Sequence, residues 1–462
     1  MDDYLNQIAN IVGSPNLLIR QAEIAPFCLD WRKRYHGHPL AVACPAHTEE
    51  IAELVVFCNE KKIPVVPQGG NTGLVGGATP DDSGRELVIA MHRMNRLRQL
   101  DSENNSMTVE AGMTLAEAQF HAQGANRLFP LSLASEGSCQ IGGNLSTNAG
   151  GLCVLRYGTM RDLTLGLEVI LPDGRIYNGL SGLRKDTSGY DIKQLFIGAE
   201  GSLGVITAAT LKLFPRPIET ITAMIGFNRA EEVITCLGRL RESFGTYLST
   251  FEMIGKLCLD LVDLHIPSVR RPFVTPWTLL VEFTSENKSP ALRDQVEDWL
   301  AKQSYVEVVV AQNEKDREDL WHLRESISEA QAKEGISIKH DIGMPSSAIP
   351  PFLDEAEKLL HREFPGCRIV VFGHAGDGNL HYNISQTRAN NADLFKDEEK
   401  VNHIVYDLVY RYGGTLAAEH GIGQLKTEWL SRYKDPVSLS IMKTIKKTLD
   451  PNSIMNKNKV LR

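Results

Sequence analysis

Two histidines, His374 and His381, bracket the run Ala375-Gly376-Asp377-Gly378-Asn379-Leu380, and a glycine-rich turn there can bring both imidazoles to one point. Further along, Ala418-Glu419-His420-Gly421-Ile422-Gly423 offers a carboxylate next to another imidazole. Two imidazoles and one carboxylate are a common ligand set for a divalent metal that leaves positions open to a substrate. With His374, His381 and Glu419 as ligands, His420 is left over to carry a proton near physiological pH. Asp377 competes as a ligand, although an Asp between glycines is more often a turn-former. Spacing alone leaves the plainer alternative standing, in which these are polar residues that support loops.

A second group is cationic. Trp321-His322-Leu323-Arg324-Glu325-Ser326-Ile327-Ser328 has a helical pattern that puts Arg324 and Ser328 four apart on one face. Lys339 follows in Ile336-Ser337-Ile338-Lys339-His340-Asp341, which alternates apolar and polar residues as an extended segment does. Arg324, Ser328 and Lys339 together can bind a carboxylate, the arginine through a bidentate fork. Against this, Arg and Lys on a helix face are usually solvated.

Three glycine-rich segments lie earlier. After the apolar run Ile63 to Val66, five of the nine residues from 69 to 77 are glycine. Glycine lets the main chain approach a ligand closely, and successive N–H groups in such a turn attract anions. The spacing is neither a Walker loop nor a dinucleotide fingerprint opening directly into a helix. A tight loop between strands is the alternative. Glycine returns in Gly137 to Gly151 and in Gly198 to Gly204, with Ser, Asn and Thr that offer hydrogen bonds rather than core. Three such loops favour a large, extended cofactor over a lone phosphate.

The elements that must position these residues alternate along the chain. Leu40 to Cys44 reads as extended, 48 to 61 as a helix with Ile51, Leu54, Val55 and Cys58 on one face and Thr48 as N-cap, and Ile63 to Val66 as a strand. Strands at Leu87 to Met91 and Met107 to Glu110 and a helix at Leu115 to Ala122 follow. Pro215-Arg216-Pro217 reads as a linker. Beyond it, strands at Ile221 to Ile225, Thr278 to Phe283 and Tyr305 to Val310 alternate with helices at Ala230 to Leu240 and Leu292 to Lys302. The first part is an α+β or α/β arrangement and a smaller α+β domain on an antiparallel sheet follows the linker, so the expected fold class of the whole is α+β. The expected divisions are 1–216, 217–405 and 406–462.

At 462 residues the chain is long enough for two or three domains. A net charge of −8 argues against bulk nucleic-acid binding, so an anionic substrate must meet a local basic pocket. Eight scattered cysteines without a Cys-x-x-Cys pair suggest reduced, mostly buried thiols. The first residues, Met1-Asp2-Asp3-Tyr4-Leu5-Asn6-Gln7, are acidic and carry no visible export or transit signal, and no apolar run is long enough for a bilayer. The expected location is cytoplasmic.

The loop Pro67-Gln68-Gly69-Gly70-Asn71-Thr72-Gly73, the segment Ile141-Gly142-Gly143-Asn144 and the run Gly198-Ala199-Glu200-Gly201-Ser202-Leu203-Gly204 resemble the FAD-binding domain of the vanillyl-alcohol oxidase and p-cresol methylhydroxylase flavoproteins. The His374–His381 and Ala418–Gly423 runs, with the ending Asp450-Pro451-Asn452-Ser453-Ile454-Met455-Asn456, resemble the cap domain of their D-2-hydroxyacid dehydrogenase branch. The resemblance implies a two-subdomain FAD-binding domain, an antiparallel cap and a small C-terminal helical region that completes the active site. It implies FAD held by Pro67, Gly69, Gly70, Asn71, Thr72, Gly73, Gly76, Gly77, Ser138, Gly142, Gly143, Thr147, Ile206 and Asn456. Residues 67 to 80 contain no His or Cys for a covalent tether, so a non-covalent flavin is expected. The metal, usually zinc, would sit on His374, His381 and Glu419, with Asn383 and His420 facing the reacting carbon.

Within the branch, Arg324, Ser328 and Lys339 resemble the distal-carboxylate site of members that oxidise D-2-hydroxyglutarate, with Ser328 where some relatives carry threonine. The implied reaction is oxidation of a D-2-hydroxy dicarboxylic acid to the 2-oxo acid. The metal would bind the 2-hydroxyl and 1-carboxylate, His420 would remove the hydroxyl proton, and hydride would pass to the flavin. The electron acceptor would be an electron-transfer flavoprotein or a quinone, and the chain is expected as a homodimer. The same-class alternatives are D-lactate, glycolate or D-malate oxidation; a metal-dependent hydrolase is the rival from another class.

Overall fold

The computed structural model describes residues 2–287, 292–386 and 396–461. They fall into two units, one of Met1–Gly150, Gly158–Arg216 and Glu419–Arg462, the other of Gly151–Tyr157 and Pro217–Ala418. Residues 406–462, expected as one C-terminal region, divide between the units after Ala418. Both units mix helix and sheet, as the α+β reading requires.

In the first unit, β1 (Leu17–Leu18), β2 (Ala41–Ala43), β3 (Val65–Gln68) and β4 (Leu87–Ala90) form a sheet of order β1-β2-β4-β3. β2 and β3 both run parallel to β4. Ala41–Ala43 and Leu87–Ala90 are buried throughout, which is why they read as unbroken apolar runs rather than as alternation. The helix Thr48–Lys61 joins β2 to β3 and buries Ile51, Leu54, Val55 and Cys58. Thr48 does not cap it, contrary to the expectation from sequence; His47 holds that position, and the Thr48 hydroxyl donates to the buried Glu168 carboxylate at 2.8 Å.

A second sheet in this unit uses β5 (Leu97–Asp101) and β6 (Ser106–Glu110), then, past the short β7 (Arg127–Leu128), β8 (Thr164–Ile170), β9 (Ile176–Asn178) and β10 (Val205–Lys212). Its order is β5-β6-β10-β8-β9, all antiparallel, and β7 pairs instead with β11 (Phe214–Pro215). The helix Leu115–Gly124 starts at a capping box in which Thr114 accepts from the Glu117 N–H and Glu117 accepts from the Thr114 N–H.

The second unit is built on seven strands: β12 (Glu219–Phe227), β13 (Leu248–Gly255), β14 (Trp277–Ser285), β15 (Glu307–Val310), β16 (Ser337–Gly343), β17 (Arg368–Gly373) and β18 (Asn379–Ser385). The order is β15-β12-β14-β13-β17-β18-β16, and every pairing is antiparallel. Register sets Ile254 opposite Phe372, Phe372 opposite His381, His381 opposite Asp341 and Asn383 opposite Lys339. Because side chains alternate along a strand, Glu252, Ile254, Phe372, His381, Asn383, Asp341 and Lys339 share one face. The helices Lys256–His265 and Glu314–Glu334 cover that face, with Leu320, Leu323 and Ile327 packed among Ile254, Val262, Val370 and Phe372. Each such fully buried side chain stabilises the unit by about 1.5–3 kcal/mol. The same helical stripe delivers Arg324 to the sheet.

Candidate active site

In the first unit the glycine loop 69–77 leaves the C-terminal end of parallel β3, where ligands bind in open α/β sheets. The second loop packs onto it: a Cβ on Gly70 would lie 1.9 Å from the Ser138 carbonyl oxygen, so only glycine fits. Gly142 donates to the Ala111 carbonyl at 2.7 Å, whereas Gly73 and Gly143 face open space. Asn71, at φ +52°, donates through its side chain to the Leu29 carbonyl at 2.8 Å. The Thr147 hydroxyl is turned back on the helix Ile141–Ser146, donating to Gly143 at 3.1 Å. Pro67 lies on β3 against Gly201, Ser138 and Gly73 are exposed, Thr72 is half-buried, and Ile206 is buried in β10.

Glu200 ties the third loop to the other two. Its carboxylate accepts from the N–H groups of Ile422 and Gly423 at 2.7 and 2.8 Å. Its own N–H donates to Ser146, and its carbonyl accepts from the Asn456 amide at 2.7 Å. Asn456 also donates to the Gly77 carbonyl at 3.0 Å, so Gly77, the helix Ile141–Ser146, Glu200 and the chain's last turn interlock. The Oε1 of Gln140, the Oδ1 of Asn456 and the Oγ1 of Thr79 are buried with no hydrogen-bond partner among the described residues. Unmet acceptors beside open glycine backbone suit an extended ligand carrying ring N–H and sugar hydroxyl groups. All eight cysteines are free, and none lies in this cradle's first loop.

In the second unit the polar face of the sheet gathers charge. Glu252, fully buried in central strand β13, accepts from Arg324 Nε at 2.7 Å on its Oε2, with Arg324 Nη2 at 2.7 Å from the same oxygen. Its Oε1 is hydrogen-bonded to His374 Nδ1. Burial alone would raise the Glu252 carboxyl, but the charges of His374 and Arg324 and their hydrogen bonds outweigh it and hold it well below the usual carboxylate range. The guanidinium also stacks over Phe372, 4.8 Å from the ring centre.

His374 follows β17 directly, in a turn where its carbonyl accepts from Asp377, Gly378 and Asn379. A Cβ on Gly378 would meet the Met344 carbonyl oxygen at 2.0 Å, so this turn also requires glycine. The His374 and His381 ring centres lie 5.7 Å apart. Buried Asp341 sits 3.9 Å from His381 Nδ1 and accepts from the Asn379 amide at 2.9 Å. Asp377 is exposed and accepts from the Asn379 N–H at 3.2 Å, the turn-forming role weighed against ligation.

The expected substrate residues Arg324, Ser328, Lys339 and Asn383 are dispersed over three elements. Arg324 is buried and Ser328 exposed on the helix Glu314–Glu334. Lys339 is exposed on β16 opposite Asn383, which is buried and donates to Gln331 at 2.9 Å. Glu419 and His420 are half-buried and belong to the first unit, whereas His374 and His381 belong to the second. Sequence reasoning missed Glu200 and Glu252. The available signal for Glu252 was one carboxylate inside the otherwise uncharged strand Leu248–Gly255.

Residues 39–179 match the FAD binding domain family, and residues 216–460 match the family of FAD linked oxidases, C-terminal domain. A rice relative (Oryza sativa subsp. japonica), named as a probable mitochondrial D-2-hydroxyglutarate dehydrogenase, is 35% identical over 472 residues, covering 99% of this chain and 82% of its own length. A Schizosaccharomyces pombe relative, named as a putative mitochondrial D-lactate dehydrogenase, is 37% identical over 448 residues, covering 94% of this chain and 84% of its own. Among solved structures, p-cresol methylhydroxylase with substrate bound aligns at TM-score 0.78 and 17% identity over 99% of this chain and 96% of that one, a likeness of fold. Both sequence relatives are named as mitochondrial, which overturns the expected cytoplasmic location. That expectation rested on the charge of a few N-terminal residues, which is no measure of compartment. Among the described residues no helix is long and apolar enough to cross a membrane.

Proposed function

This chain belongs to the FAD-linked oxidase family, and from that premise we propose that it oxidises D-2-hydroxyglutarate to 2-oxoglutarate. The observation that carries the reading is the shared sheet face on which His381 stands with Lys339 and Asn383, with His374 in the adjoining turn 5.7 Å from the His381 ring, and onto which the helix brings Arg324. The 2-hydroxy carboxylate end of a hydroxy dicarboxylic acid needs a Lewis-acidic centre, and the distal carboxylate needs a cation.

FAD supplies the two-electron acceptor when bound. Pro67, Gly69, Gly70, Asn71, Thr72, Gly73, Gly76, Gly77, Ser138, Gly142, Gly143, Thr147, Ile206 and Asn456 are the proposed cradle, supported by the unmet acceptors around them. A divalent cation, Zn2+ by its donor set, would supply Lewis acidity to a 2-hydroxy acid on His374, His381 and Glu419. The fit rests on chemistry: with Nδ1 of His374 engaged by Glu252, its Nε2 remains as the donor. The approach of Glu419 and His420 is part of the proposal. His420 takes the 2-hydroxyl proton, Asn383 orients the carboxylate next to it, and Arg324, Ser328 and Lys339 hold the distal one. The onward acceptor in this reading is an electron-transfer flavoprotein or a quinone.

D-Lactate is the second reading, favoured by the Arg324–Glu252 ion pair, which already occupies one edge of the guanidinium. The S. pombe relative carries that substrate in its name. D-Malate is separated from D-2-hydroxyglutarate by one methylene, worth only about 1–3 kcal/mol. Anaerobic flavin bleaching and steady-state kinetics with all three acids test the choice, in wild type and Lys339→Ala. The expected result is a kcat/KM loss of tenfold or more in Lys339→Ala for D-2-hydroxyglutarate and little for D-lactate. Equal losses on both remove the distal-carboxylate role.

A further inference from the structure

We propose that Glu252 is a positioning residue for the metal centre: it fixes the tautomer of His374 so that Nε2 presents a lone pair, and Arg324 is its counter-charge. The inference rests on the reading of His374 as a metal ligand. Glu252 lies on β13, a strand paired on both sides by β14 and β17, and its side chain is fully buried. Its two oxygens are divided between two partners, Oε1 to His374 Nδ1 and Oε2 to Arg324, so the carboxylate has no rotation to spare.

A carboxylate only accepts hydrogen bonds, so His374 Nδ1 must carry a proton, and in the neutral, ligating ring the unprotonated nitrogen is then Nε2. That is the arrangement in which a ligating imidazole is held by a carboxylate behind it, and loss of such a partner typically costs 10–100-fold in metal affinity. An isosteric amide reverses the instruction. Its NH2 group facing Nδ1 would be an acceptor's partner, which moves the ring proton to Nε2 and blocks ligation.

Arg324 then has a different task from the one its sequence position suggests. Its Nε–Nη2 edge and its unit charge are matched by Glu252, while Nη1 has no partner among the described residues. Arg324 can still offer a hydrogen bond to a distal carboxylate through Nη1, but the net positive charge on this face falls to Lys339. The guanidinium keeps Glu252 from standing alone as a buried charge.

The test is Zn2+ affinity of the flavin-loaded full-length chain, measured by competition with a chromophoric chelator, for wild type and Glu252→Gln. The expected result is a dissociation constant raised at least tenfold in Glu252→Gln, with flavin content unchanged because the cradle lies in the other unit. Wild-type affinity in Glu252→Gln overturns the assignment. If that variant fails to fold, Glu252→Leu combined with Arg324→Met replaces it, since it removes the acceptor behind His374 and leaves no unpaired charge. The same tenfold loss is expected there, and wild-type affinity again overturns the assignment. A wild-type chain that takes up no Zn2+ defeats the metal reading itself, which separates the two failures.

Discussion

Glu200 in the first unit and Glu252 in the second are both buried carboxylates, and they are satisfied in opposite ways. Glu200 accepts from two backbone N–H groups, and burial pushes its carboxyl up despite those bonds and the nearby charge of Lys426. Glu252 is buried more deeply still, at 0% exposure against 8% for Glu200, yet the charges of His374 and Arg324 overcome that burial and hold its carboxyl down. Backbone dipoles can satisfy a carboxylate's geometry without fixing its charge, whereas adjacent cations fix both. The first arrangement ties strands of backbone together around a cofactor cradle. The second orients the side chains to which the proposed chemistry is assigned.

The most damaging way to break this comparison is Arg324→Met. It leaves Glu252 fully buried with His374 as its remaining partner, and breaking a buried pair from one side costs about 3–5 kcal/mol. Urea unfolding followed by tryptophan fluorescence should show that loss, and adding Glu252→Gln to it should recover most of it. A loss under about 1 kcal/mol would mean that solvent, not the guanidinium, compensates Glu252.

Glu200→Gln is expected to cost less, about 1–3 kcal/mol, because the amide keeps one acceptor but turns its NH2 toward the second backbone N–H. The measurable sign is flavin lost on gel filtration, since Glu200 joins the third glycine loop to Gly421–Gly423 and, through Asn456, to Gly77. The two carboxylates also pull stability in opposite directions with pH. Glu200 is raised above the ordinary 4.5, so its contribution is full below that value and is lost as pH rises through its folded pKa. Glu252 is lowered, so its contribution is present above 4.5 and is lost as pH falls towards its folded pKa. Melting temperature against pH should therefore fall less steeply on the neutral side of 4.5 in Glu200→Gln than in wild type. An unchanged slope would remove Glu200 as the titrating group.

The close packing of the first two glycine loops was legible because glycine is the only residue that tolerates the approach of Ser138 to Gly70, so the constraint is written at the position itself. The buried runs Ala41–Ala43 and Leu87–Ala90 were legible for a similar reason, as their continuous apolar character is local. Glu252 was not. Its partners are 72 and 122 residues away, and the one local signal, a lone carboxylate in an otherwise uncharged strand, names neither of them. Arg324 was legible as a cation but not as one already paired. Thr48 shows the same limit: a hydroxyl at a helix start reads as a cap until a buried Glu168 competes for it.

The smallest expected effect separates a turn from a ligand within His374–His381. Asp377→Asn keeps an Oδ1 that can accept from the Asn379 N–H, the bond that shapes the turn. Stability should change by no more than about 0.5 kcal/mol, as for surface substitutions generally. If the three-ligand reading holds, Zn2+ affinity should also stay at the wild-type value, because an exposed turn residue contributes no donor to the centre. A clear loss of Zn2+ affinity with the fold intact would make Asp377 a ligand. The charge that sets the centre would then lie in the turn itself, and the contrast with Glu200 would rest on a different carboxylate.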